Sequence, residues 1–97
     1  MNVFQLINDR GNAAAHQFVI TTKKATYFKS YNSVVCKWDG VNIVLSLHWD
    51  YSRTTAKHLY IFLRQQGFHN LNSAKDVRKA IKDGWVTLKN VSSLNII

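Results

Sequence analysis

The sequence predicts an α+β fold: an antiparallel β-meander of three to five strands, then two helices, then a short final strand. Three observations predict it. β-branched and aromatic residues alternate through the first half; the hydrophobic period changes from two to about 3.6 after Tyr51; and a strand-like segment, Trp85-Val-Thr-Leu-Lys89, follows the second helical stretch. With 97 residues the chain can bury one modest core and is too short for a second, so residues 1–97 read as a single domain. It divides into a β-rich part (1–50), a helical part (51–83) and a strand with its tail (85–97).

Residues 3–7 are apolar enough for a strand or for one helical turn, and so short a run does not decide between them. Asn8-Asp9-Arg10-Gly11-Asn12 has the composition of a loop. Residues 17–22 read as a strand, Lys23-Lys24 as an exposed turn, and Ala25 to Tyr31 as the next strand. Asp39-Gly40 suits a two-residue type I′ hairpin, because both central residues of that turn need positive φ. Such a turn pairs Trp38 with Val41, Cys36 with Ile43 and Val34 with Leu45. Val34, Cys36, Trp38, Val41, Ile43, Leu45 and Leu47 then share one face.

In the first helix, Ala56, Leu59, Phe62 and Leu63 lie on one side; Asp50 or Ser52 suits the N-cap and Gly67 the stop. Ser73-Ala74-Lys75-Asp76 has the form of a capping box with Asp in place of Glu or Gln. Ala74, Val77, Ala80 and Ile81 form the apolar side of the helix it opens, and Gly84 ends it. Residues 90–97 are expected to fray.

Hydrophobic residues make up 46% and aromatics 12%, a globular composition that excludes a disordered chain. There is no apolar run of about 18 residues, the length a membrane span needs. Met-Asn-Val-Phe-Gln-Leu-Ile lacks the basic and long apolar regions of a secretory signal, so a cytoplasmic location is expected, with no membrane partner. A single cysteine excludes an intramolecular disulfide, and four scattered histidines without Cys-x-x-Cys give no metal site. No cofactor is expected.

Enzyme chemistry finds little to work with. The chain has no Glu, no glycine-rich phosphate loop and no nucleophile elbow, so no catalytic residue is assigned. Asp50, near His48 and His58, reads as a helix cap, and Cys36 as a small core residue. Trp38 and Trp85 read as core anchors, whereas Trp49 sits at a strand end.

Charge is more informative, with 13 Lys and Arg against 5 Asp and a formal net charge of +8. Residues 51–97 hold eight of the basic groups and two of the acids. Such a surface attracts nucleic acid, an acidic protein face or anionic lipid. On the first helix Arg53, Lys57, Tyr60 and Arg64 recur at helical spacing, and on the second Lys75, Arg78, Lys79 and Lys82 lie outside the apolar side. With Tyr51, these nine are the candidate binding residues. Lys and Arg heads on a rigid element suit phosphate recognition, and the two tyrosines add stacking or contact area. An exposed sheet edge would also give a second copy of the chain a place to pair, as a homodimer.

Tyr27-Phe28-Lys29-Ser30-Tyr31, then Trp49-Asp50-Tyr51-Ser52-Arg53-Thr54-Thr55-Ala56-Lys57-His58 and Phe62-Leu63, resemble a family of small uncharacterised proteins found mainly in tailed phages and other mobile elements. The resemblance spans roughly residues 18–88, with Trp-Asp-Tyr-Ser as its specific part. It implies a phage setting inside a host cell and a β-then-α domain, and it supplies no catalytic residues. The expected function is a non-enzymatic accessory protein whose basic helical surface engages nucleic acid or a nucleic-acid-binding host machine, as an inhibitor of host defence of the anti-CRISPR kind. The alternatives are a direct DNA- or RNA-binding phage regulator, and a binder of a small anionic nucleotide signal with Trp49, Tyr51, Arg53 and Lys57 lining its pocket.

Overall fold

A computed structural model describes residues 1–96. Five strands run as an antiparallel meander: β1 (Asn2–Ile7), β2 (Ala13–Thr21), β3 (Thr26–Ser30), β4 (Ser33–Trp38) and β5 (Ile43–Ser46). A 3-10 turn, Leu47–Asp50, leads into helix α1 (Arg53–Gln65), followed by α2 (Ala74–Asp83). Strand β6 (Val86–Lys89) then returns parallel to β5 and completes a six-stranded sheet in sequence order. The α+β reading thus holds, with the ambiguous segment at residues 3–7 resolved as the edge strand β1.

One face of the sheet is the main core. Phe28, Val35, Cys36, Ile43 and Leu45 meet Leu59, Phe62 and Leu63 of α1 and Val77 of α2, all buried, with the Phe28 and Phe62 rings stacked at 5.7 Å. Each such side chain contributes about 1.5–3 kcal/mol by leaving water. Burial also raises the Cys36 thiol far above its ordinary range.

The β4–β5 register differs from the two-residue hairpin. Trp38 pairs with Ile43 and Cys36 with Leu45, so the connection runs from Asp39 to Asn42. The Asp39 carboxylate accepts the amides of Val41 (2.9 Å) and Asn42 (2.7 Å) and thereby holds a wider loop, leaving Val41 exposed. A two-residue slip preserves sidedness, so Cys36, Ile43 and Leu45 still share the helix-facing side. Val34 does not: Phe28 pairs with Cys36 but Lys29 with Val34, a bulge that leaves Val35 as the extra residue. Val35 and Cys36 therefore both face the helices, and Val34 packs behind the sheet.

That rear face carries a smaller core of Ile20, Ala25, Tyr27, Val34 and Leu94. Its cover is the C-terminal tail, which was expected to fray. Where the chain leaves β5 for the 3-10 turn, the tail fills the gap beside β4: Leu47 donates its amide to the Val91 carbonyl (2.9 Å), Leu94 to that of Val34 (2.8 Å), and the Val34 amide donates to Ser93 Oγ (2.8 Å). Residue 97 lies outside the described residues.

Both helix starts are capped by serine. Ser52 Oγ accepts the Thr55 amide and Ser73 Oγ the Asp76 amide, each at 3.1 Å. Asp50 is not the N-cap of α1; it pairs instead with Arg78. After α1, Gly67 at φ +99° lets the Phe68 amide reach back to the Leu63 carbonyl, and Gly84 at φ +88° closes α2 in the same left-handed region. The tryptophans also differ from expectation. Trp49 is the buried one, Trp38 is half-buried edge-on to Phe68 at 4.7 Å, and Trp85 is exposed. Trp49 lies in the 3-10 turn and joins the main core.

Candidate functional site

The nine candidate residues do not form one stripe. Arg53, Lys57, Tyr60 and Arg78 come together in an open groove of about 410 Å³ between α1 and α2, floored by Ala56 and Ala74. Helical spacing places Arg53 and Lys57 one turn apart, and the packing of α2 brings Arg78 across to them. Asp50 also lines the groove and accepts a hydrogen bond from the Arg78 guanidinium at 3.0 Å, while that guanidinium lies 5.6 Å from the centre of the Trp49 ring. Arg78 thus contacts both Asp50 and Trp49. Arg53 and Lys57 form no salt bridge among the described residues and leave the groove with three cations to one carboxylate. Partial burial raises the Tyr60 phenol above its ordinary value, an effect that Arg78 opposes.

The other cations lie elsewhere. Arg64, at the far end of α1, donates to Asp9 (2.8 Å) and to Asn72 (3.2 Å), tying that helix to the β1–β2 loop and to the connection before α2. Lys79 pairs with Asp83 one turn along α2 at 2.7 Å, and that carboxylate raises its ammonium. Lys75 and Lys82 are exposed on α2 and form no salt bridge among the described residues. Tyr51 faces a different recess.

That recess, about 600 Å³, lies between the β3–β4 turn and the start of α1. The turn contributes Ser30, Tyr31, Asn32 and Ser33; the 3-10 turn contributes His48; Tyr51, Ser52, Thr54 and Thr55 complete the wall with Val35. A buried bond between the Ser30 and Thr55 hydroxyls (2.9 Å) clamps the sheet to the helix, and Ser52 Oγ donates to Thr55 Oγ1 at 3.2 Å. The Ser-Tyr and Trp-Asp-Tyr-Ser-x-Thr-Thr segments, some twenty residues apart in sequence, thus meet at one cavity. Ser52 lines both the cavity and the groove, so the two are neighbours around the N-terminus of α1.

The cavity wall is held under backbone strain. Tyr31 (φ +54°) and His16 (φ +64°) both lie in the left-handed region, costing roughly 1–3 kcal/mol each. The Tyr31 amide donates to the His16 carbonyl at 2.7 Å and the rings stack at 4.9 Å. His16 falls where β2 is irregular: between Gln5↔Phe18 and Ile7↔Ala13, the single residue Leu6 of β1 stands against residues 14–17 of β2. On the opposite rim His48 and Tyr51 pack ring to ring at 5.1 Å. Gln17, paired in register with Ser30, is buried with its Oε1 unpartnered among the described residues. The sequence signal for Ser30 to Ser33 was the Ser-Tyr pair; nothing local marks His16, whose conformation comes from the bulge.

Among the described residues no three His, Cys or Asp side chains gather as metal ligands, and no helix is long and apolar enough to cross a membrane. Cys36 is buried, and the His58 ring contacts the Thr54 carbonyl within its own helix at 2.7 Å.

Fold and site together define a small basic α+β domain in which a helix pair presents a cationic groove beside a hydroxyl-lined cavity. The chain belongs to a family of unknown function (DUF8033), whose model matches residues 1–84 and so includes every groove and cavity residue. Comparison with curated proteins and with solved structures found no match.

Proposed function

We propose that this domain is a non-enzymatic binding protein of phage type that engages nucleic acid through the α1–α2 face, acting in the host cytoplasm against host defence. The observation that carries the reading is the groove itself: Arg53 and Lys57 from one helix and Arg78 from the other converge on one track with a single carboxylate between them. Phosphates are the ligand class that rewards several rigidly mounted cations at once. Tyr60 adds an aromatic wall. Lys75 and Lys82 extend the positive face along α2, whereas Arg64 and Lys79 lie outside the groove and pair with Asp9 and Asp83.

A binder accounts for the site better than an enzyme. Asp50 is ion-paired with Arg78, Cys36 is buried in the core, and His58 is engaged with its own helix. The phage setting rests on the resemblance of the Trp49–His58 block to proteins of mobile elements.

Fluorescence anisotropy with labelled DNA and RNA oligonucleotides tests the reading. Wild type should bind, and Arg53→Glu/Lys57→Glu should weaken binding at least tenfold while retaining the wild-type melting temperature, because both side chains are exposed. Absence of wild-type binding, or binding indifferent to the double substitution, would refute the phosphate track; capture of an acidic host protein would then replace it.

A further inference from the structure

We infer that the cavity beside the groove receives an unpaired nucleobase, making single-stranded rather than duplex nucleic acid the ligand; this rests on the phosphate reading of the groove. Among the described residues no Lys, Arg or Asp lines the cavity; its wall is built from hydroxyl, amide and aromatic groups with His48, a lining suited to an uncharged polar group. Its rims are aromatic, Tyr31 on one side and Tyr51 on the other, both exposed and each braced by a histidine ring. Its polar lining includes the side chains of Asn32, Ser33 and Thr54, which make no hydrogen bond among the described residues and so have donors and acceptors to offer. A flat, uncharged group with a hydrogen-bonding edge and two π-faces matches that wall, and a nucleobase is such a group.

Adjacency supplies the rest. Ser52 belongs to both walls, so a base seated between the tyrosines leaves its backbone beside Arg53 and Lys57. About 600 Å³ falls within the roughly 300–1,000 Å³ typical of small-ligand sites. A base inside a duplex has both faces stacked and its edge paired, so it cannot enter.

The test compares three labelled ligands of equal length: single-stranded oligothymidylate, a duplex, and an abasic strand that keeps the phosphates and lacks bases. The single strand should bind about tenfold tighter than either of the others, as expected for one stacked base. Tyr51→Ala, and Tyr31→Asn, which suits the left-handed backbone, should each remove most of that advantage and leave abasic-strand binding unchanged. Equal affinity for all three ligands, or tyrosine variants that bind oligothymidylate like wild type, would overturn the base pocket; if Arg53→Glu/Lys57→Glu still abolished binding, the phosphate track would stand alone. Failure of all three ligands to bind wild type would overturn both.

Discussion

His16 and Tyr31 illustrate how single residues set the cavity's geometry. Neither is a glycine, yet both adopt positive φ, and each holds the other through a backbone hydrogen bond and a ring stack. A β-branched side chain tolerates that region poorly. His16→Val should therefore lower stability by about 1–2 kcal/mol although the site is exposed, while Ala15→Val next to it should be near neutral; chemical denaturation reads the difference. Cys36 gives a second check. Its burial and strongly raised thiol predict no reaction with a thiol reagent at pH 8 until the protein unfolds. That inertness was legible in the sequence, because alternation put Cys36 on the apolar face; the strain at His16 was not, because it arises from an irregular β1–β2 register that no local motif marks.

At the scale of elements, capping and turn chemistry decide where structure starts and stops. Ser52, Ser73, Gly67 and Gly84 were readable because each acts within three or four residues of its partner. Ser73→Ala should cost about 1 kcal/mol of stability. The β4–β5 loop was read too tightly: Asp-Gly suits a two-residue turn, but the Asp39 side chain competes for the Val41 and Asn42 amides and wins a longer loop. Those amides, Asn42 first, hold the Asp39 carboxyl below its ordinary value. A carboxyl lowered by folding stabilises the fold above its unfolded pKa, about 3.9, and that contribution is lost as pH falls through the lower folded value. The stability gap between wild type and Asp39→Asn should therefore be larger at pH 7 than at pH 2.

Across the whole molecule, the sheet has two cores and two covers. The helical cover was legible from the change of period after Tyr51; the tail was not, because Val91, Leu94 and Ile96 look like an ordinary terminus until β5 pairing ends at Cys36 and leaves Val34, paired with β3 on one side, open to the tail on the other. Leu94→Ala should cost about 2–5 kcal/mol, a loss that a frayed tail would not show. The candidate site was legible in parts. Helical spacing found Arg53, Lys57 and Tyr60, but only packing shows that Arg78 joins them while Arg64 and Lys79 are engaged elsewhere.

Phosphate binding by the α1–α2 face, as proposed, would show most clearly in the salt dependence of oligonucleotide binding. With Arg53, Lys57 and Arg78 each displacing one counterion from a single strand, the logarithm of the affinity should fall with that of salt at a slope of about −2, and Arg53→Glu/Lys57→Glu should flatten it. A wild-type slope near zero would refute phosphate binding by this face.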